Sequence, residues 1–289
     1  MLFIYFKDTY IYSWYHTFIK GICECFENNN IKYEISVNII DISKKVKEND
    51  ILFCVSGVMN PRDKFLRKTF NDIKDKKTKI IVYNTEDIKN SEKFKKGMYN
   101  FLNIKAYCVM DFSNERLDML INTPYKLKVC PGYYSSLEIK LEKKTKIYDV
   151  LCYGTMNERR LNLEKELKKS GLNILFKFYQ SQEEQQEDIA QSKIVLDLYH
   201  YGVTGIDFFR CNFLATNKIF FVHETPSEED KDEDFLNTVV NASYDEIPQR
   251  CIEWLSKSQE ERDAKALEVH NLFKTKYNLQ DQLPYEFFK

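Results

Sequence analysis

The chain has 289 residues, 43 % of them apolar, enough to fill two cores when one domain usually takes about 100–150 residues. Lys and Arg total 43 against 44 Asp and Glu, a formal charge of −1, which leaves no summed positive field to draw in nucleic acid or an anionic membrane. An anionic ligand must then be held by donors gathered locally.

Eight cysteines, among them Cys54, Cys152 and Cys211, lack paired CxxC spacing and mostly sit inside apolar runs, as reduced core side chains do. Cys23 and Cys25 point to different sides of a helix, poor geometry for a shared ion, and a reducing compartment is expected. Met1–Phe6 is too short for a signal or spanning helix, since Lys7 and Asp8 interrupt it, and no later run reaches about 20 apolar residues. A soluble protein of the cytoplasm is expected.

Short runs rich in Ile, Val, Phe and Tyr predict strands near 2–6, 33–40, 51–55, 79–83, 105–109 and 126–130, with helices over 14–28, 62–75, 91–102 and 114–121. Continuous apolar strands alternating with helices predict a parallel sheet covered on both faces. After Pro131-Gly132 the chain turns polar, and 137–147 reads as a linker between a first domain, 1–136, and a second, 148–270. Strands near 148–153, 173–179, 193–198, 218–222 and 237–240 then alternate with helical stretches at 158–170, 183–191, 207–216 and 246–256. The acidic run 228–234 reads as a solvated loop rather than a divalent-metal site. The tail, 271–289, ends in Tyr285-Glu286-Phe287-Phe288, whose rings want a surface, and is expected to pack back on the first domain. The fold class is α/β, two Rossmann-like doubly wound domains, with ligand expected at the carboxyl ends of the strands.

The most informative stretch is Tyr148–Arg160. A strand breaks into Gly154-Thr155-Met156-Asn157-Glu158-Arg159-Arg160 and then into a helical pattern. Amides after Gly154, the Thr155 hydroxyl and the two guanidinium groups suit phosphate at a helix N-terminus. The alternative is a plain strand-to-helix turn followed by a solvated first turn. Positive charge there costs about 0.3–1 kcal/mol unless an anion sits beside it. Arg210, among Phe208, Phe209, Phe213 and Leu214, needs a partner, which is either Asp207 or a neighbouring carboxylate, or else donor phosphate or sugar. Glu224 ends an apolar strand, where it can accept from sugar or ribose hydroxyls or face solvent as a loop residue.

Together, Tyr153–Arg160, Ser192–Asp197, Asp207-x-x-Arg210 and Glu224 resemble the donor half of the GT-B glycosyltransferases, in the group-1-like form found in bacteria and giant viruses. Ile80–Glu86 and Val129–Tyr133 resemble first-domain elements of the same group. The resemblance implies metal-independent transfer of a sugar from a nucleotide-activated donor, such as a UDP- or GDP-sugar, to a glycan, protein or small-molecule acceptor. No other cofactor, nucleic acid or transmembrane segment is implied. The donor-binding candidates are Gly154, Thr155, Asn157, Arg159, Arg160, Tyr179, Tyr199, His200 and Glu224, although Tyr199 and His200 depart from the Asn and His often found around that strand and do not simply inherit their roles; the catalytic candidates are Asp207, Arg210 and Glu86, the last as base or acceptor contact. Asp8 and Ser56, with Gly57, are acceptor-side candidates, and His16 is a further contender for base or for packing. The sequence departs from the pattern at Asp197 and Tyr199 on the third strand, at Ala215, at Asn217, and in lacking a glycine-rich turn around Lys7-Asp8-Thr9. The alternative is a non-catalytic module of the same fold that binds nucleotide or glycan.

Overall fold

The computed structural model describes residues 1–6, 13–56, 64–85, 100–103, 105–141, 144–179, 181–199, 208–226 and 232–289. They form two compact units, Met1–Pro131 with Leu279–Lys289, and Gly132–Asn278.

The first unit holds a parallel sheet of β1 (Leu2–Tyr5), β2 (Tyr33–Ser36), β3 (Ile51–Val55), β4 (Lys79–Tyr83), β5 (Cys108–Asp111) and β6 (Tyr125–Lys128), in the order β2-β1-β3-β4-β5-β6. Ile4 lies between Ile35 and Phe53 in register. All residues of β1, β3 and β5 are buried, as strands covered on both faces must be. Helix α1 (Ser13–Asn28) buries Phe18, Ile19, Ile22, Cys25 and Phe26, one stripe at helical spacing. The core joins Leu52, Cys54, Ile80 and Val82 to Phe70 and Ile73 of α3 (Lys64–Asp75).

The sequence suggests one strand over 33–40, but β2 stops at Ser36. Asn38 caps α2 (Ile39–Lys45) by accepting from the Ile40 amide at 3.0 Å, and the helix buries Ile39 and Ile42. A β-branched, apolar run does not distinguish strand from helix, and the asparagine cap decides it. Farther along, Ser113 caps α4 (Asn114–Asp118) by accepting from the Arg116 amide. The chain's last segment, Leu279–Lys289, belongs to this unit: the Phe288 ring packs 4.7 Å from Phe26 and 5.8 Å from Phe53, and Gln282 accepts from the Cys130 amide at 2.8 Å.

In the second unit β7 (Tyr148–Tyr153), β8 (Ile174–Lys177), β9 (Ser192–Asp197), β10 (Phe221–Glu224) and β11 (Val240–Ala242) pair in parallel, in the order β11-β10-β9-β7-β8. Its core gathers Val150, Cys152, Ile194, Leu196 and Val222 against Leu163 and Leu167 of α5 (Glu158–Lys169) and Ile247 and Cys251 of α9 (Ile247–Leu255). Helices α6 (Gln182–Ala190), α7 (Phe208–Thr216) and α10 (Gln259–Thr275) complete the layers. A strand expected at 237–240 is displaced to Val240–Ala242, because Asp232 caps a short helix, α8 (Glu233–Thr238). Residues 232–234 of the acidic run thus open a helix, where carboxylates favour the dipole.

Two asparagines of α7 and its end tie down the segment that precedes β7. Asn212 donates to the Gly132 carbonyl at 2.7 Å, while Asn217 accepts from the Ile139 amide at 2.8 Å and donates to the Leu137 carbonyl at 3.2 Å. Gly132 is dictated by space, since a Cβ there would lie 1.5 Å from the Tyr277 carbonyl oxygen. Among the described residues, no helix is long and apolar enough to cross a membrane.

Candidate functional site

Both sheets reverse their winding beside their first strand, between β1 and β3 and between β7 and β9. In open parallel sheets the crevice outside the carboxyl ends at such a switch point is where ligands bind. The residues after β7, β9 and β10 are therefore the place to look in the second unit, and the sequence candidates Gly154, Thr155, Asn157, Arg159, Arg160, Tyr199, Arg210 and Glu224 lie there.

Gly154 follows β7 with φ +119°, a left-handed conformation, and a Cβ on it would approach Arg160 Nη1 to 2.5 Å. Glycine thus both permits the turn and admits the guanidinium. Asn157 ends the turn by capping α5, its Oδ1 accepting from the Arg160 amide at 2.9 Å. Thr155 is exposed in this loop.

The adjacent arginines part company because successive helical residues point about 100° apart. Arg160 turns inward, 2 % exposed, and donates to the Thr155 carbonyl at 2.9 Å and the Leu198 carbonyl at 3.1 Å, which staples the β7 loop to the end of β9. Arg159 turns to the rim: its side chain is 21 % exposed, it meets Glu224 through both guanidinium nitrogens, with one contact at 2.8 Å, and it donates to the Tyr199 carbonyl at 3.1 Å. The Tyr244 ring lies 3.9 Å from its guanidinium carbon, and the Tyr244 hydroxyl donates to the Arg159 carbonyl at 2.6 Å. The positive charge in the first helical turn has its anion, Glu224, so the dipole cost is offset within the protein.

Arg210, in the first turn of α7, finds its carboxylate in Asp197. Nη1 donates to Asp197 Oδ1 at 3.1 Å and to the Leu198 carbonyl at 3.1 Å, and the guanidinium stands 5.2 Å from the Tyr153 ring centroid with 17 % of the side chain exposed. Asp197 is 2 % exposed. Burial opposes its ionisation, but the hydrogen bond from His223, the charge of Arg210 and the Cys211 thiol outweigh it and bring the carboxyl down to about 2. Tyr179 borders the group through an edge contact with Tyr153 at 6.5 Å. Its hydroxyl donates to Asp188 at 2.6 Å, and burial and that bond raise its pKa.

The rim thus carries two partly exposed guanidinium groups, Arg159 and Arg210, each paired with a carboxylate, Glu224 and Asp197, with the guanidinium of Arg160 buried behind them. With the N-termini of α5 and α7 at the same edge, the arrangement suits an anion.

At the corresponding edge of the first unit, Ser56 follows β3 and is fully buried. Its hydroxyl donates to Asn84 Oδ1 at 3.0 Å and accepts from the Thr85 amide at 2.8 Å, and Asn84 donates to Asp111 at 2.6 Å. Asp111 in turn takes two bonds from Arg116, at 2.9 and 2.6 Å. This chain joins the ends of β3, β4 and β5 and was missed at the sequence level, where the available signal was a polar residue closing each apolar strand. Of the remaining candidates, Asp8, Gly57, Glu86, His200 and Asp207, with the side chain of His16, lie outside the described residues.

No family model matches the chain. It is 28 % identical over 201 residues to uncharacterized protein L140 of Acanthamoeba polyphaga mimivirus, a match covering 66 % of this chain and 64 % of that protein. Solved structures similar in fold include the following. The DNA-modifying enzyme β-glucosyltransferase, whose substrate is uridine diphosphoglucose, is 14 % identical over 97 % of this chain and 98 % of its own, with a TM-score of 0.61. HepE of Anabaena, in complex with UDP-glucose, is 7 % identical over 96 % and 95 %, with a TM-score of 0.60. TarM is 14 % identical over 86 % of this chain but only 55 % of its own, with a TM-score of 0.50. These are GT-B glycosyltransferases, and the chain has their fold.

Proposed function

We propose that this protein transfers a sugar from a nucleotide-activated donor, bound by the second unit, to a glycan, protein or small-molecule acceptor, with no bound metal required. One observation carries the reading: two partly exposed arginines, Arg159 and Arg210, are set at the switch-point edge of a sheet whose fold neighbours were solved with UDP-glucose or act on it.

As the glycosidic bond breaks, negative charge grows on the nucleoside diphosphate leaving group, and donors aimed at its oxygens stabilise the transition state more than the ground state. The amides after Gly154, the Thr155 hydroxyl and the guanidinium groups of Arg159 and Arg210 supply them. Arg160 takes part indirectly, holding the loop that carries those amides. Glu224, 1 % exposed, takes part by anchoring Arg159 and the Tyr199 amide. The resemblance places Asp207 on the donor sugar; His200 is a donor-side candidate, and Asp8 and Glu86 are acceptor-side candidates, Glu86 as base or acceptor contact.

The test is incubation of purified protein with radiolabelled UDP-glucose and GDP-mannose, following both hydrolysis and transfer to an acceptor mixture. Release or transfer of sugar that falls at least about tenfold in Arg210→Ala supports the reading. Tight binding of sugar nucleotide without turnover would favour the non-catalytic module instead.

A further inference from the structure

Beneath the rim, Asp197, Cys211 and His223 converge from β9, α7 and β10, all buried, with their oxygen, sulfur and nitrogen within 4.8 Å of one another. Asp197 Oδ2 lies 2.7 Å from His223 Nδ1 and 3.0 Å from Cys211 Sγ, while Sγ and Nδ1 stand 3.9 Å apart. A tetrahedral zinc would hold its nitrogen and oxygen ligands about 3.3 Å apart. The observed pattern, one oxygen close to both partners and the partners apart from each other, is that of one acceptor with two donors.

That pattern orients the imidazole. An ionised Asp197 can only accept, so Nδ1 carries a proton, and Nε2 faces the Tyr199 hydroxyl at 3.2 Å. Tyr199 is also held by its backbone, its amide donating to Glu224 at 3.1 Å and its carbonyl accepting from Arg159 at 3.1 Å. One histidine therefore touches both rim ion pairs, Asp197–Arg210 directly and Glu224–Arg159 through Tyr199. The Phe235 ring closes over it edge-on at 5.0 Å.

We propose that His223 is the positioning residue of the donor rim: as the Nδ1–H tautomer, accepting at Nε2 from Tyr199, it fixes Asp197 and Arg210 on one side and Tyr199, Glu224 and Arg159 on the other in the orientation that receives the donor diphosphate. The proposal rests on the donor site proposed above. Within it, the Asp197 bond is the decisive one, because Arg210 hangs from that carboxylate.

Two measurements on the full chain test it. With ¹⁵N-histidine labelling, the ring nitrogens of His223, assigned by loss of signal in His223→Asn, should show a protonated Nδ1 and a bare Nε2 at neutral pH. A bare Nδ1, or protons on both nitrogens, overturns the proposal whatever the ligand. Calorimetric binding of UDP-glucose then compares His223→Asn, whose amide nitrogen takes the Nδ1 position, with His223→Gln, whose amide reaches the Nε2 position. His223→Asn should bind within about threefold of the wild type and His223→Gln at least about tenfold more weakly, with similar melting temperatures. Equal losses, or the reverse order, overturn the positioning role. A wild type with the expected tautomer that binds no sugar nucleotide instead overturns the donor-site reading, and the positioning role falls with it.

Discussion

Asp197 shows how the rim is held at the level of single side chains. A lone buried carboxylate would be expensive, yet this one has Arg210, His223 and Cys211 around it. Its folded pKa, about 2, lies below the usual carboxylate value, so its contribution to stability is fully present above about pH 4 and fades as pH falls towards 2. Asp197→Asn should remove on the order of 2 kcal/mol at pH 7 and little near pH 2. Urea melts across that range check it, and a loss that stays constant with pH contradicts it. Gly154→Ala meets both a positive φ and the Arg160 guanidinium, and should cost about 1–3 kcal/mol in the same melts. The charged residues that interrupt apolar runs, Arg159, Arg210 and Glu224, were legible as site candidates. Their partners were not: Arg210 pairs with Asp197 at the end of β9, and nothing in Arg159-Arg160 says which faces the rim. His223 was assigned no role from the sequence, and only the third dimension sets it against Asp197 and Tyr199.

The elements followed their apolar patterns wherever a strand was buried on both faces. β3, β4, β7 and β9 fall where continuous Ile, Val, Leu and Phe runs place them, whereas boundaries moved where a cap outranked periodicity, as at Asn38 and Asp232. Caps make direct predictions. Asn157→Ala removes the acceptor for the Arg160 amide and should cost about 1 kcal/mol, visible as a lower urea midpoint with an unchanged m-value. The tail carries more. Phe288 is 3 % exposed against Phe26 and Phe53, so Phe288→Ala should cost about 3–5 kcal/mol, and an effect below about 1 kcal/mol would mean the tail does not pack as described. That aromatic ending was legible as a tail seeking a surface. The Asn212 and Asn217 contacts with the segment before β7 were not, because side-chain to backbone bonds across about 80 residues leave no local pattern.

For the whole molecule, the near-neutral charge leaves no summed positive field, and the proposed donor is a small anion that the local positive rim would hold. Although β-glucosyltransferase, similar in fold, modifies DNA, this chain should bind duplex DNA weakly at physiological salt. Tight, steeply salt-dependent DNA binding would argue for a DNA acceptor. The most direct test of the central claim is the melting temperature of the wild type, Arg210→Ala and Glu224→Ala with and without saturating UDP- and GDP-sugars. At about 100 times its dissociation constant, a donor that binds the folded state should add about 2.7 kcal/mol to the wild type, and each substitution should remove most of that gain. A gain undiminished in both variants, or no gain with any sugar nucleotide, would contradict a donor site at the edge of β7, β9 and β10.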